Sequence, residues 1–137
     1  GSDDGSDDGS GGTFTAVELE IHDLVNEHRK SLGKEALTLN TIIYEEAKAH
    51  TEYMVAVGQM SHDNFDDRAN RLMNQVGGNA IAENVAKFYS TPEQVVNGWL
   101  NSPGHKKNIE GDYNLTGIAA IKDGSGRYYY TQIFLRK

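Results

Sequence analysis

Three short polar stretches carry the residues that could do chemistry. His62 lies in Met60-Ser61-His62-Asp63-Asn64, Glu83 and Asn84 in Ile81-Ala82-Glu83-Asn84-Val85-Ala86, and His105 in Asn101-Ser102-Pro103-Gly104-His105. An imidazole titrates near neutrality, so it can hold a metal ion or move a proton. His62 and His105 each sit in a short polar loop after or at the end of a helix, where binding groups concentrate. Glu83 is flanked by apolar Ile81, Ala82 and Val85. A carboxylate in such surroundings carries a desolvation cost unless it is paired or hydrogen-bonded. A nearby histidine would be that partner, so the three stretches are expected to fold into one polar cleft. Asn84 is better suited to pinning a loop through its amide than to chemistry.

The remaining histidines carry less weight. His22 is expected on the polar side of the first helix, in solvent. His28 and His50 fall on apolar helical faces and are expected to be core histidines with one hydrogen-bond partner each. The sequence has no His-Glu-x-x-His zinc helix, no Gly-x-Ser-x-Gly elbow and no phosphate loop. Ser102 stands three residues before His105, so a serine–histidine pair is conceivable. It has no evident third member, and helix termination explains this serine equally well. If the chain is an enzyme, His62, Glu83 and His105 are the candidate catalytic groups.

Composition narrows the classes further. The 137 residues include no cysteine, which excludes disulfides, thiolate catalysis and cysteine zinc sites. Net charge is -7, and Asp3, Asp4, Asp7 and Asp8 carry four of those charges. The rest is mildly acidic and offers no basic face for nucleic acid, nor a basic amphipathic stretch for an anionic membrane. No apolar run approaches the roughly 20 residues of a membrane span. Residues 1–12 repeat Gly-Ser-Asp-Asp without an apolar residue and read as a disordered acidic linker. Residues 13–137 read as one domain, large enough to bury roughly two-thirds of its unfolded surface.

The elements that must position these groups are legible from periodicity and caps. A first helix is predicted over about 16–32, from a Thr15/Glu18 capping box to Gly33, with Val17, Ile21, Leu24, Val25, His28 and Leu32 on one face. A second spans about 41–57, with Ile43, Ala47, His50, Met54 and Val57 inward. A third covers 65–75, with Leu72 and Val76 facing in. Residues 82–88 read as a strand. Thr91-Pro92 opens a fourth helix whose buried side is Val95, Val96 and Trp99, and 105–109 add one more turn. Residues 115–122 and 128–135 flank Asp123-Gly124-Ser125-Gly126 as a hairpin.

Several phrases stand in order: Leu24-Val25-Asn26-Glu27-His28-Arg29, Ala47-Lys48-Ala49-His50, Ser61-His62, Glu83-Asn84-Val85-Ala86, Trp99-Leu100-Asn101-Ser102-Pro103-Gly104-His105-Lys106-Lys107-Asn108-Ile109, Thr116-Gly117-Ile118-Ala119 and Tyr130-Thr131-Gln132-Ile133-Phe134. Together they resemble the CAP superfamily of cysteine-rich secretory, antigen 5 and pathogenesis-related 1 proteins, in particular its bacterial, cysteine-free SCP-like extracellular branch. The resemblance runs from about Val17 to Phe134. It implies an α+β fold: a three-layer α-β-α sandwich with a central antiparallel sheet. It also implies an extracellular or cell-surface domain. No signal peptide is present, and a sequence that begins inside a precursor would have lost one.

The family's cleft carries two histidines and two acidic residues, and some members bind zinc or another divalent ion there. His62 matches the first family histidine and Glu83 the glutamate of the Glu-Asn phrase. Ser102 stands where animal and plant members have their second glutamate, and Tyr129 where they have their second histidine. His105 is expected to fill that gap in space. The expected cleft is therefore His62, Glu83, Asn84, Ser102, His105 and Tyr129. Two neutral imidazoles, His62 and His105, could hold a divalent metal weakly, with Glu83 fixing one tautomer. Catalytic zinc usually has three protein ligands, so no cofactor is required. Alternatively, His62, Glu83 and Tyr129 form a polar floor for an uncharged ligand. The reading that follows is a monomeric, non-enzymatic secreted binding module for a small lipid, a peptide or a weakly held metal. A metal-dependent hydrolase or protease competes with it, as does a purely structural cell-surface role.

Overall fold

Helix starts are set by side chains that accept the free N–H groups of a first turn. Helix α1 (Ala16–Ser31) opens on a capping box: Thr15 Oγ1 accepts from Glu18 N at 3.2 Å, and Glu18 Oε1 accepts from Thr15 N at 2.8 Å. Helix α2 (Thr41–Val57) starts at Asn40, whose side chain accepts from Ile43 N at 2.9 Å, and stops at Gly58 with φ 71°. Helices α3 (Phe65–Gln75), α4 (Pro92–Leu100) and α5 (Pro103–Ile109) follow the predicted bounds closely. The strands are β1 (Thr38–Leu39), β2 (Ala80–Lys87), β3 (Leu115–Lys122) and β4 (Tyr128–Arg136). The computed structural model describes residues 14–137, so the acidic linker expected over residues 1–12 lies outside the described residues.

The sheet runs in the order β1-β3-β4-β2. β4 pairs antiparallel with both β3 and β2, but β1 adds to β3 in parallel. The sheet is therefore mixed, which corrects the expectation of a purely antiparallel one. A two-residue strand has no alternation to read, and Thr38–Leu39 is held through its neighbours: Thr38 N donates to Asn114 O and Asn40 N to Thr116 O. α1 and α4 pack on one face, with Ile21, Val25, Val95, Val96 and Trp99 against Ile118, Tyr130 and Phe134. α2 and α3 pack on the other, with Ile43, Tyr44, Ala47 and Leu72 against Ala119, Ile133 and Leu135. The result is an α-β-α sandwich.

Two features fix how this scaffold presents its polar groups. β2 is an edge strand, and edge carbonyls need a partner or a cover. Trp99 Nε1 donates to Val85 O at 3.1 Å, so α4 covers that edge. Arg29, buried in α1, donates to Glu35 O, Ile109 O, Gly111 O and Tyr113 O at 2.8–3.0 Å. It thereby fastens the end of α5 to α1. Leu32 and Val57, expected to face inward, are exposed at the last turns of their helices, where the chain leaves the core. His22 is half-buried beside Asn26 rather than solvated, and His28 pairs with Glu110 at 2.7 Å near the surface.

Candidate functional site

Glu83 lies near the middle of β2, and its side chain is only 1% exposed. Successive strand residues point to opposite faces. Ile81 and Val85 pack on the α2/α3 side and Ala82 and Ala86 on the α1/α4 side, which puts Glu83 on the former. Both its oxygens are engaged there. Arg68 Nη2 donates to Oε1 at 2.7 Å and Arg68 Nε to Oε2 at 2.8 Å, the two-pronged geometry of a guanidinium–carboxylate pair. His62 Nδ1 lies 2.9 Å from Oε1. A carboxylate accepts, so His62 donates from Nδ1 and its Nε2 points away from Glu83. The His62 ring is 53% exposed. A buried anion thus orients a solvent-facing imidazole.

Arg68 belongs to none of the motifs in the sequence, although its position carries a signal. It shares the spacing-of-four stripe of α3 with Leu72 and Val76, so a cation stands on an apolar face. Its Nη1 also donates to Asp63 O at 2.6 Å, tying the His62 loop to α3. His50 completes the support from α2, with Nε2 2.7 Å from Ser61 O. Burial is the main cause that lowers the His50 pKa; the bond to Ser61 opposes it.

The second histidine reaches the region from the other face. Asn84 is the neighbour of Glu83 and points to the α5 side. Its Nδ2 donates to His105 O at 3.1 Å, and Asn108 Nδ2 donates to Asn84 Oδ1 at 2.9 Å. This is the loop-pinning role expected of Asn84, extended by Asn108, which sequence reasoning missed. Ser102 precedes α5 at the N-cap position, yet its hydroxyl makes no cap bond. It lies 2.8 Å from His105 Nδ1 instead. Burial lowers the His105 pKa most, and the charge of His62 lowers it further. Tyr129 sits apart from these bonds. It is 2% exposed, packed with Met54 and Val85 and edge-on to Phe88 at 5.6 Å. The surface hollow at His62 measures about 490 Å³ and is lined by Asn64, Phe65, Asp66 and Asp67 besides His62. Among the described residues, no three His, Cys, Asp or Glu side chains are grouped to hold a metal.

Residues 22–134 match the model of the cysteine-rich secretory protein family, CAP. The chain belongs to the CAP family. It is 30% identical to the uncharacterized protein YkwD of Bacillus subtilis, over 91% of this chain and 49% of that protein. It therefore spans about half the length of that relative. It is also similar to the crystal structure of an extracellular protein containing an SCP domain from Bacillus anthracis, at 29% identity and TM-score 0.77, over 88% of this chain and 40% of the other. An outer surface protein of Borrelia burgdorferi shares the fold at TM-score 0.79 and 23% identity, over 90% of this chain and 96% of that one. Among the described residues, no helix of this CAP domain is long and apolar enough to cross a membrane.

Proposed function

We propose that this CAP domain is an extracellular or cell-surface binding module, and that its ligand engages the outward Nε2 of His62 beside the hollow at the start of α3. One observation carries the reading. Glu83 is buried with both oxygens committed to Arg68 and His62. A carboxylate held this way orients an imidazole; it is not free to take a proton from a substrate or to activate water. That weighs against the hydrolase reading, in which Glu83 serves as acid or base. The extracellular SCP-domain relative supports the location.

The ligand classes that suit the site are a small polar or amphiphilic molecule, a peptide, or a divalent cation. For a cation the donor set is thin. His62 and His105 are each bonded through Nδ1, to Glu83 and Ser102, which leaves Nε2 as the donor on both. Two imidazoles fall short of the three protein ligands usual for catalytic zinc, so binding would be weak and no chemistry is routed through it. Calorimetric titration with zinc into the wild type, His62→Ala and His105→Ala is the test. Weak heats lost in both variants are expected. Equal heats in all three would remove the metal from the proposal. Hydrolysis of labelled casein that disappears in Glu83→Gln would overturn the non-catalytic reading.

A further inference from the structure

A second concavity, of about 260 Å³, lies between the segment after β2 and the β3–β4 hairpin. It shares no lining residue with the His62 hollow. Phe88, Tyr89 and Ser90 form one wall, and Lys122, Gly126, Arg127 and Tyr128 form the other. The chain carries 20 acidic residues against 13 lysines and arginines, yet none of these seven is acidic. Asp123, next to Lys122 in the chain, is already engaged. It accepts from Ser125 N and Arg127 N at 2.9 and 3.0 Å and pairs with Arg127 Nη2 at 3.4 Å.

Phe88 is the unusual member. Its φ is 74°, in the left-handed region that a bulky side chain rarely adopts, and the residue is still 39% exposed. Backbone strain of this kind persists only where surrounding contacts impose it, and it gathers at ligand sites. The Arg127 guanidinium lies 3.9 Å from the Phe88 ring centroid and Lys87 Nζ lies 5.0 Å from it, while Lys122 Nζ stands 5.3 Å from the Tyr128 ring. Aromatic rings therefore hold Arg127 and Lys122 in the pocket lining and Lys87 beside it. Both walls are fixed in advance. Ser90 N donates to Gln94 Oε1 and Tyr130 Oη to Tyr89 O, and Asp123 braces the hairpin. Gly98 leaves room for the Tyr89 hydroxyl, which a Cβ there would meet at 2.3 Å.

We propose that this pocket binds an acidic saccharide, with Lys122 on the carboxylate and the Phe88–Tyr89–Ser90 segment along the sugar, Arg127 being held between Asp123 and the Phe88 ring. A fixed cation selects the anion. An open, ring-sized cleft walled by aromatic carbon and a serine hydroxyl suits one unit of an extended chain better than an engulfed metabolite. The test is an amide NMR titration of the full chain with a tetrasaccharide of alternating glucuronate and N-acetylglucosamine. Its controls are a neutral N-acetylglucosamine tetramer, inorganic phosphate and vesicles of anionic phospholipid. The acidic tetrasaccharide should shift amides of residues 88–90 and 122–128 and leave those of residues 61–67 unmoved. Lys122→Gln, at an exposed position, should weaken it about fivefold, the effect of one exposed charge contact, while Lys87→Gln, outside the lining, should leave it unchanged. Binding should also fall as salt rises. No shifts in the pocket, equal binding of the neutral tetramer, wild-type affinity in Lys122→Gln, or equal response to phosphate or vesicles alone would each overturn the proposal.

Discussion

Replacing Arg68 with methionine tests whether the site rests on a buried ion pair. The side chains of Arg68 and Glu83 are 4% and 1% exposed, and three bonds converge on the Glu83 carboxylate. Arg68→Met removes two of them and leaves a buried anion with His62 Nδ1 as its remaining partner. Stranding one member of a buried pair costs about 3–5 kcal/mol. That is a large share of the roughly 5–15 kcal/mol that holds a domain folded. At about 3–5 °C per kcal/mol for a domain of this size, a loss near 4 kcal/mol lowers Tm by roughly 12–20 °C. Urea unfolding followed by the fluorescence of Trp99, the single tryptophan, reads the change directly. The double variant Arg68→Met/Glu83→Met removes the charge as well as its partner and should recover about 2 kcal/mol or more, because apolar residues of similar volume often replace a buried pair at little cost. A single variant that costs less than about 1 kcal/mol would refute the reasoning. So would a double variant no more stable than the single one.

Two further outcomes follow from the same structure. A Cβ on Gly117 would stand 2.4 Å from Tyr44 N and 2.5 Å from Ile43 C, both backbone atoms of α2 that cannot give way. Gly117→Ala should cost about 3 kcal/mol by forcing helix and sheet apart. Gly124→Ala, with open space around it, should change stability by less than about 0.5 kcal/mol; equal urea midpoints for the two would contradict the packing argument. The second outcome concerns pH. His50 and His105 both have lowered pKa values in the folded chain, chiefly through burial. The unfolded chain therefore binds protons that the folded one resists. Their contribution is intact above the unfolded value of about 6.5 and is lost as pH falls through the folded pKa values. Arg68, Glu83 and His62 surround His50 electrostatically and stay in place in the comparison. The variant His50→Gln/His105→Gln should lose less stability between pH 7 and about 5 than the wild type; parallel curves would refute this. Glu18, raised by burial, acts in the opposite sense but is common to both proteins.

The sequence alone determined what depends on neighbours in the chain. Thr15 with Glu18, Asn40 before α2 and Thr91-Pro92 before α4 set helix starts because a cap acts within one turn. Apolar spacing identified Ile43, Leu72, Val95 and Trp99 as core. The apolar flanks of Glu83 required a partner for its charge, and His62 is one. Only tertiary structure decided the rest. The guanidinium that neutralises Glu83 comes from helix α3, and its place on that helix's apolar stripe does not say which carboxylate it meets. The two-residue strand β1 exists only through its pairing with β3. The pleat of β2 separates the neighbours Glu83 and Asn84 onto opposite faces, so one orients His62 and the other pins the backbone of His105. Phe88, expected to end a strand, turns out of it with φ 74° and stacks on Arg127 from the following hairpin. Such arrangements are fixed by which surfaces meet, and the spacing along the chain does not encode them.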